Sequence, residues 1–118
     1  MVTPDWPRPV VHWEMVVRDT ERQADFYRQL FNWQIAEGTI MPISAGLGGP
    51  EPGPGGHLRA GGHPGISLYV QVRNLHESIT LAQALGGSLV REPFAPAGGS
   101  MLGIILDPEG NRVVLVQQ

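Results

Sequence analysis

The chain lacks cysteine, has few basic residues and contains no long apolar run. The absence of cysteine excludes disulfides, thiolate nucleophiles and Cys-ligated zinc. Eight Lys plus Arg against eleven Asp plus Glu give a formal net charge of −3 without a basic cluster, so neither nucleic acid nor an anionic membrane is an expected partner. No apolar stretch reaches membrane-spanning length, and the first nine residues lack the regions of a signal peptide. We therefore expect a single cytoplasmic domain over residues 1–118.

One sequence pattern occurs twice along the chain. Val17-Arg18-Asp19 opens the first copy, and Val72-Arg73-Asn74 opens the second copy 55 residues later (72 − 17 = 55). The same offset aligns the apolar runs that precede them, residues 10–17 and 66–72. A repeat of this kind predicts two βαβββ modules. Such modules can face each other across a shared cavity, and we expect the function to lie there.

The first module is expected over about residues 10–50. Residues 10–17 are rich in β-branched and aromatic side chains and predict a strand. A helix should follow, begun by Asp19 or Thr20 as its cap and ended by Asn32, which tolerates the left-handed conformation. Further strands are predicted at residues 33–36 and 39–43. Four residues at helical spacing should form the buried stripe of the helix: Ala24, Tyr27, Leu30 and Phe31.

A connector rich in glycine and proline is expected over about residues 47–64. Seven glycines and four prolines occupy eleven of its eighteen positions, which disfavours a long strand or helix. A short edge strand near Leu47 is an option within it. We expect the rest to form a surface loop that joins the two modules.

The second module is expected over about residues 65–118. It begins with a strand at residues 66–72, followed by a helix capped by Asn74 and ended by Gly86-Gly87. Strands are predicted at residues 88–91, 101–106 and 112–116, with a tight turn from Asp107 to Gly110 before the last one. The apolar stripe of this helix should consist of four residues: Leu75, Ile79, Ala82 and Leu85.

Polar side chains alternate with apolar ones on the leading strand of each module. The wholly apolar side of each strand should carry the helix, and the mixed side should line the cavity. The candidate ligand-binding residues are therefore His12, Glu14, Ser67, Tyr69 and Gln71. A polar face of an antiparallel strand is often only exposed to solvent, and this alternative stays open.

Several short sequence features, taken together, resemble those of the glyoxalase / bleomycin-resistance / extradiol-dioxygenase superfamily. The fold of this superfamily is called vicinal oxygen chelate. The features are the strand that ends in Arg18-Asp19, the helix exit from Phe26 to Trp33, the Gly86-Gly87 helix end and the Asp107-Pro108-Glu109-Gly110-Asn111 turn. The resemblance implies an α+β fold in which two βαβββ modules form a curved mixed sheet, a cup with the helices outside. It does not imply one activity, because the superfamily includes lyases, epimerases, dioxygenases and non-catalytic drug-binding proteins.

The resemblance also implies where a divalent metal would be held in metal-binding members. His12 stands at the first family ligand position, but Ser67 and Val114 stand where two further ligands are expected. The remaining ligand would come from the Gly/Pro-rich stretch, where His57 and His63 are weak candidates. Because catalysis needs about three protein ligands in fixed geometry, we predict no cofactor, and a divalent metal remains the alternative.

Two functions follow from this comparison of residues with the superfamily. The first is a protein that binds a small organic molecule in the cup without the family metal. The second is a divalent-metal-dependent lyase, epimerase or dioxygenase that uses His12 and Glu14. An interaction module without a small-molecule site is a third option. A homodimer is expected under each of them, because a small cup exposes sheet edges and apolar surface.

Overall fold

The computed structural model describes residues 7–44 and 53–118, which contain two helices and seven strands. The chain divides into two compact units. Of the described residues, the first unit comprises 11–44 and 53–68, and the second comprises 7–10 and 69–118. No helix in the described ranges is long and apolar enough to cross a membrane. In chain order the elements are β1 Val10–Val17, α1 Thr20–Phe31, β2 Ile40–Ile43, β3 Gly56–Ala60, β4 Gly65–Val72, α2 Leu75–Ala84, β5 Ser88–Phe94, β6 Leu102–Leu106 and β7 Arg112–Gln117.

In the first unit, β3 pairs with both β1 and β2. Its pairing with β1 is parallel and sets Glu14 opposite His57, whereas its pairing with β2 is antiparallel and sets Pro42 opposite His57. One face of these strands packs against α1 around Met41 and Leu58, which are fully buried. The apolar side of β1 thus carries the helix, as the alternation predicts. The other members of this core are Val17, Ala24, Ile35 and Ile43, with Trp13, Met15, Tyr27 and Trp33 packed against them.

Helix α1 begins and ends as its sequence predicts. The Asp19 side chain accepts a hydrogen bond from the Arg22 backbone N–H at 3.0 Å, and Asn32 closes the helix in the left-handed region with φ 59°. The predicted buried stripe is only partly correct. Ala24 is buried, but the Leu30 and Phe31 side chains are more than half exposed in the single chain, because the core of this unit ends beneath the first two turns of the helix.

Two predictions about the first module need correction. The strand predicted at residues 33–36 is reduced to a single bridge between Ile35 and Ile43. The connector predicted at residues 47–64 contains β3, which lies between two partner strands and is therefore not a surface loop. The short strand considered near Leu47 falls outside the described residues.

The second unit follows its predicted βαβββ order closely. Asn74 caps α2 by accepting from the Glu77 backbone N–H at 3.0 Å, and β5, β6 and β7 pair in antiparallel order. The predicted turn closes through the Gly110 N–H, which donates to the Asp107 carbonyl at 2.9 Å. Leu75 and Ile79 are buried as expected, whereas Leu85 is 69% exposed. The core consists of Val72, Leu75, Ile79 and Leu115, with Val70, Leu89, Ile105 and Val113 against them. The α+β fold class is confirmed.

Replacing Gly56 should destabilise the protein, because the backbone of β3 runs directly against Trp13. An alanine Cβ at this position would overlap the Trp13 indole and lie 2.7 Å from the Trp13 carbonyl oxygen. We expect Gly56→Ala to lower the free energy of unfolding by roughly 1–3 kcal/mol, the usual range for overpacking. Urea unfolding measures the effect. Gly62→Ala is the matched control, since nothing lies within 4 Å of its added Cβ; equal losses in both variants would contradict the account.

Candidate functional site

A cluster of four polar side chains lies on the face of the first unit that is turned away from α1. Trp13 and Met15 of β1 pack against the core, so the alternation of the strand directs His12 and Glu14 to the other side. Strand β3 repeats this division, with Leu58 in the core and His57 and Arg59 opposite. The parallel register then places these residues beside Glu14.

Glu14 is the centre of the cluster and is only 4% exposed. Arg59 Nε donates to Glu14 Oε2 at 2.8 Å, and Arg59 Nη2 donates to Oε1 at 3.4 Å. This two-point contact supplies a permanent positive charge to a carboxylate that has left water, which a buried charge requires. The Arg59 side chain keeps 35% of its surface exposed, so the cluster reaches from the interior to the solvent.

The two histidines extend the cluster in one line. His57 Nε2 lies 2.9 Å from Glu14 Oε2, and His57 Nδ1 lies 2.7 Å from His12 Nε2. An ionised carboxylate only accepts hydrogen bonds, so His57 donates from Nε2 to Glu14. In the tautomer that carries its proton on Nε2, His57 Nδ1 accepts from His12 Nε2–H. The protons are therefore ordered along a chain that runs from His12 through His57 to Glu14.

His12 is separated from Glu14 by His57 in this chain and is half-buried. Burial lowers the pKa of His12 below its ordinary value of 6.5, the neighbouring His57 lowers it further, and the negative charge of Glu14 works in the opposite direction. The first two causes prevail. His12 is accordingly a neutral imidazole at pH 7, a form that can both donate and accept a hydrogen bond.

The geometry of this cluster does not fit the metal ion that metal-binding superfamily members hold. Two nitrogens bound to one tetrahedral zinc lie roughly 3.3 Å apart, whereas the facing His12 and His57 nitrogens are 2.7 Å apart and hydrogen-bonded to each other. The Arg59 guanidinium donates to the Glu14 carboxylate, which is therefore already bound by a cation. Val114 is a buried aliphatic residue in β7 and has no metal-binding atom. Within the ranges 7–44 and 53–118, no group of three or more His, Asp or Glu side chains could hold a metal ion.

The predicted ligand-binding residues are divided between the two units. His12, Glu14 and Ser67 belong to the first unit, in which Ser67 is 4% exposed, and Tyr69 and Gln71 are half-buried in the second unit. The structure brings His12 and Glu14 together through His57. A single cavity lined by all five residues stays a prediction.

Sequence reasoning missed Arg59 and gave His57 only as a weak metal ligand. Their composition-based assignment to a loop concealed the alternation of His57, Leu58 and Arg59, which is typical of a strand. The repeat carried the missing signal, because the offset of 55 that aligns the two modules places residue 57 on Arg112, the first residue of β7 (112 − 55 = 57). Strand β3 is thus the counterpart of the last strand of the second module.

A groove in the first unit is separate from this cluster. This groove of about 690 Å³ lies between α1, the end of β1 and the start of β4, and it is bordered by Arg22, Phe26 and Ile66. None of the four cluster side chains lines it. The groove combines apolar side chains with Asp19, whose carboxylate caps α1.

Comparisons with known proteins agree with this architecture. The model of the Glyoxalase-like domain family matches residues 11–116. No curated protein matches the chain. Among solved structures, the chain resembles a hypothetical protein from Bacillus halodurans C-125, with 14% identity, TM-score 0.70 and coverage of 94% of each chain. It also resembles a glyoxalase/bleomycin resistance protein/dioxygenase superfamily member from Vibrio splendidus 12B01, with 14% identity, TM-score 0.66 and coverage of 95% of this chain and 100% of that one.

A third solved structure of the same fold is methylmalonyl-CoA epimerase from Mycobacterium tuberculosis. It is 18% identical, with TM-score 0.64, and the alignment covers 92% of this chain and 86% of the epimerase. At such identities these likenesses establish the fold and leave the activity open. The match of the family model over residues 11–116 shows that the chain belongs to the Glyoxalase-like domain family.

Proposed function

We propose that this chain binds a small organic molecule on the polar face of the first unit, and that it does so without a metal ion. The observation that carries the proposal is the hydrogen-bonded line of His12, His57, Glu14 and Arg59. In this line the groups that could bind a metal are bonded to one another. Arg59 and Glu14 carry opposite charges in direct contact, and with the two imidazoles they give the face oriented polar groups.

Apolar side chains border the polar cluster on β2. Ile40 and Pro42 lie opposite Arg59 and His57 in the antiparallel register, and both are exposed. Cross-strand partners of this kind share one face of a sheet. A face that combines a few ordered polar groups with exposed apolar ones suits an organic molecule, for which apolar contact supplies affinity and hydrogen bonds supply orientation.

The alternative is a divalent-metal-dependent lyase, epimerase or dioxygenase of the same superfamily. The observation in its favour is that methylmalonyl-CoA epimerase and the dioxygenase superfamily member share the fold of this chain. The valine at position 114 and the direct contact between the two histidines count against it. Metal content therefore separates the two functions.

Metal removal should leave the protein unchanged, whereas loss of His12 should weaken ligand binding. We expect that adding a chelator to protein purified without one leaves the melting temperature of the protein unaltered.

Ligand-observed NMR with a panel of small carbonyl and carboxylate compounds should identify binders. His12→Ala should weaken their binding about tenfold, as the loss of an ordered hydrogen bond implies. His63→Ala is the control, because His63 is exposed in the same unit. Near-stoichiometric metal that disappears in His12→Ala would move the metal-dependent enzyme ahead of the binding function.

The stability of the protein should fall in mildly acidic solution because His12 is neutral in the fold. Its folded pKa is lowered below 6.5, so below that pH the unfolded chain binds a proton that the folded chain resists, and the free energy of unfolding decreases. Above pH 6.5 both states hold a neutral His12, and the contribution is constant. We expect His12→Asn to lose less stability than wild type between pH 7.5 and 5.5 in urea unfolding. Parallel pH curves would refute this.

We further propose that the chain forms a homodimer. Phe26, Leu30 and Phe31 on α1 are each more than half exposed in the single chain, and Ile66 at the start of β4 is 65% exposed. A contiguous apolar surface of this kind is usually an interaction site.

We also propose that the protein is cytoplasmic, and this proposal rests on the sequence alone.

A charge introduced into this apolar surface should dissociate the dimer. We expect sedimentation velocity at micromolar concentration to show a dimer for the wild type and a monomer for Leu30→Glu, because pairing would bury the new carboxylate without a partner. Gln83→Glu introduces the same charge on the exposed part of α2 and should leave the dimer intact. A wild-type protein that sediments as a monomer would contradict the proposal.

A further inference from the structure

The two helices carry exposed apolar side chains at equivalent positions of the sequence repeat. Phe26 and Leu30 on α1 are each more than half exposed, and so are Leu81 on α2 and Leu85 at its end. The offset that aligns the two modules places Phe26 on Leu81 and Leu30 on Leu85 (81 − 26 = 55, 85 − 30 = 55). Residues four apart lie on one face of a helix. Each helix therefore presents an apolar ridge, and a ridge that recurs in both modules indicates a contact surface rather than scattered exposed residues.

A charged residue stands one turn before each apolar ridge, and the two charges are opposite. Arg22 precedes Phe26 by four residues, Glu77 precedes Leu81 by four, and the repeat aligns Arg22 with Glu77 (77 − 22 = 55). Both residues are exposed. Within the part of the chain that the structure describes, neither side chain takes part in an ion pair. The two ridges are therefore similar in shape and complementary in charge.

The groove of about 690 Å³ in the first unit lies directly beside the ridge of α1. Arg18, Arg22, Phe26 and Ile66 line it, and a hollow that Arg22 and Phe26 also line continues it along the helix. Apolar side chains next to arginines fit a helix that presents leucines and a carboxylate. Helix α2 has this character, because its ten residues include Glu77 and no Lys or Arg. Helix α1 of a second copy would instead bring a third arginine to the groove.

We propose that α2 of a second copy packs into this groove, with Leu81 of the partner subunit beside Phe26 and Glu77 of the partner subunit beside Arg22. This inference rests on the homodimer proposed above and names the surface that α1 meets in it. The two helices cross near Phe26, with their first turns on the same side. In a two-fold symmetric dimer the contact occurs twice, because each chain contributes its α1 to one contact and its α2 to the other. The apolar ridges exclude water from each contact, and the ion pair decides which helix is accepted.

An exchange of the two charges tests this pairing. Arg22→Glu would set two carboxylates against each other at both contacts, and Glu77→Arg would set two guanidinium groups against each other. We expect each variant to raise the dissociation constant of the dimer about tenfold or more, since like charges across an interface oppose association. A 1:1 mixture of the two variants has an opposite pair at each contact, and so has the double variant. Both should dimerise as the wild type does in sedimentation velocity.

The mixture also separates the contact from the stability of α2. Glu77→Arg removes a carboxylate from the first turn of the helix, where the helix dipole favours a negative charge, and this loss remains in the mixture. Recovery of the dimer on mixing therefore reports the pairing alone. Gln83→Arg is the control, because Gln83 stands two residues from both leucines and thus on another face of α2. It should leave the dissociation constant unchanged.

The absence of cysteine allows the contact to be located directly. Phe26→Cys and Leu81→Cys each place one thiol at an exposed position of the chain. When the two variants are mixed and oxidised, we expect a disulfide that joins one variant to the other, identified by the mass of the linked peptides. Each variant alone should link to itself much less. Linking of Phe26→Cys to itself at the rate of the mixture would place α1 against α1 and overturn the role of α2.

Failure of this pairing and failure of the dimer give different results. If the wild type is a dimer that Leu30→Glu dissociates, but neither charge variant changes its dissociation constant, the role of α2 is overturned and the homodimer stands. The same conclusion follows if the single variants dissociate and their mixture does not recover. If the wild type sediments as a monomer, the homodimer and this pairing both fall.

Discussion

The burial of the Glu14 carboxylate is the constraint on which the rest of the first unit depends. Removing a carboxylate from water costs several kcal/mol unless charge and hydrogen bonds replace the solvent. Both replacements come from β3, as the guanidinium of Arg59 and the imidazole of His57. The pairing of β1 with β3 is therefore held by an electrostatic requirement as well as by backbone hydrogen bonds, and the position of His12 follows from it.

Much of the fold could be predicted because its signals are local. The strand at Val10–Val17 has the predicted bounds, and Asp19 and Asn74 cap the two helices as expected. A capping side chain and the alternation of a strand need only a few consecutive residues. Strand β3 could not be predicted in this way, because its stability comes from two partner strands and from Glu14, while its surrounding composition is typical of a loop.

The residues of the candidate site could likewise be predicted only where a local sequence pattern reveals them. Alternation alone placed His12 and Glu14 on one polar face, and the resemblance to the superfamily matched only His12 to a ligand position, with Ser67 and Val114 at two others. Neither argument could supply Arg59, because a contact between residues 14 and 59 depends on the register of two strands that are far apart in the sequence. Helical spacing likewise placed Leu30 and Leu85 in the core-facing stripes of their helices. It could not tell how far the core extends beneath each helix, and both side chains are exposed.

The contact between Gly56 and Trp13 also limits how this chain can diverge. The indole fixes the start of β3, so the order Gly56, His57, Leu58, Arg59 has to keep its phase relative to β1. One inserted residue within this tetrapeptide would exchange the two faces, placing Leu58 beside the carboxylate and an imidazole or a guanidinium in the apolar core. A change of length between residues 44 and 53 leaves both paired strands intact and does not alter that phase. Among related sequences, the segment between residues 44 and 53 can therefore vary in length, while the tetrapeptide can change in residue type but not in spacing.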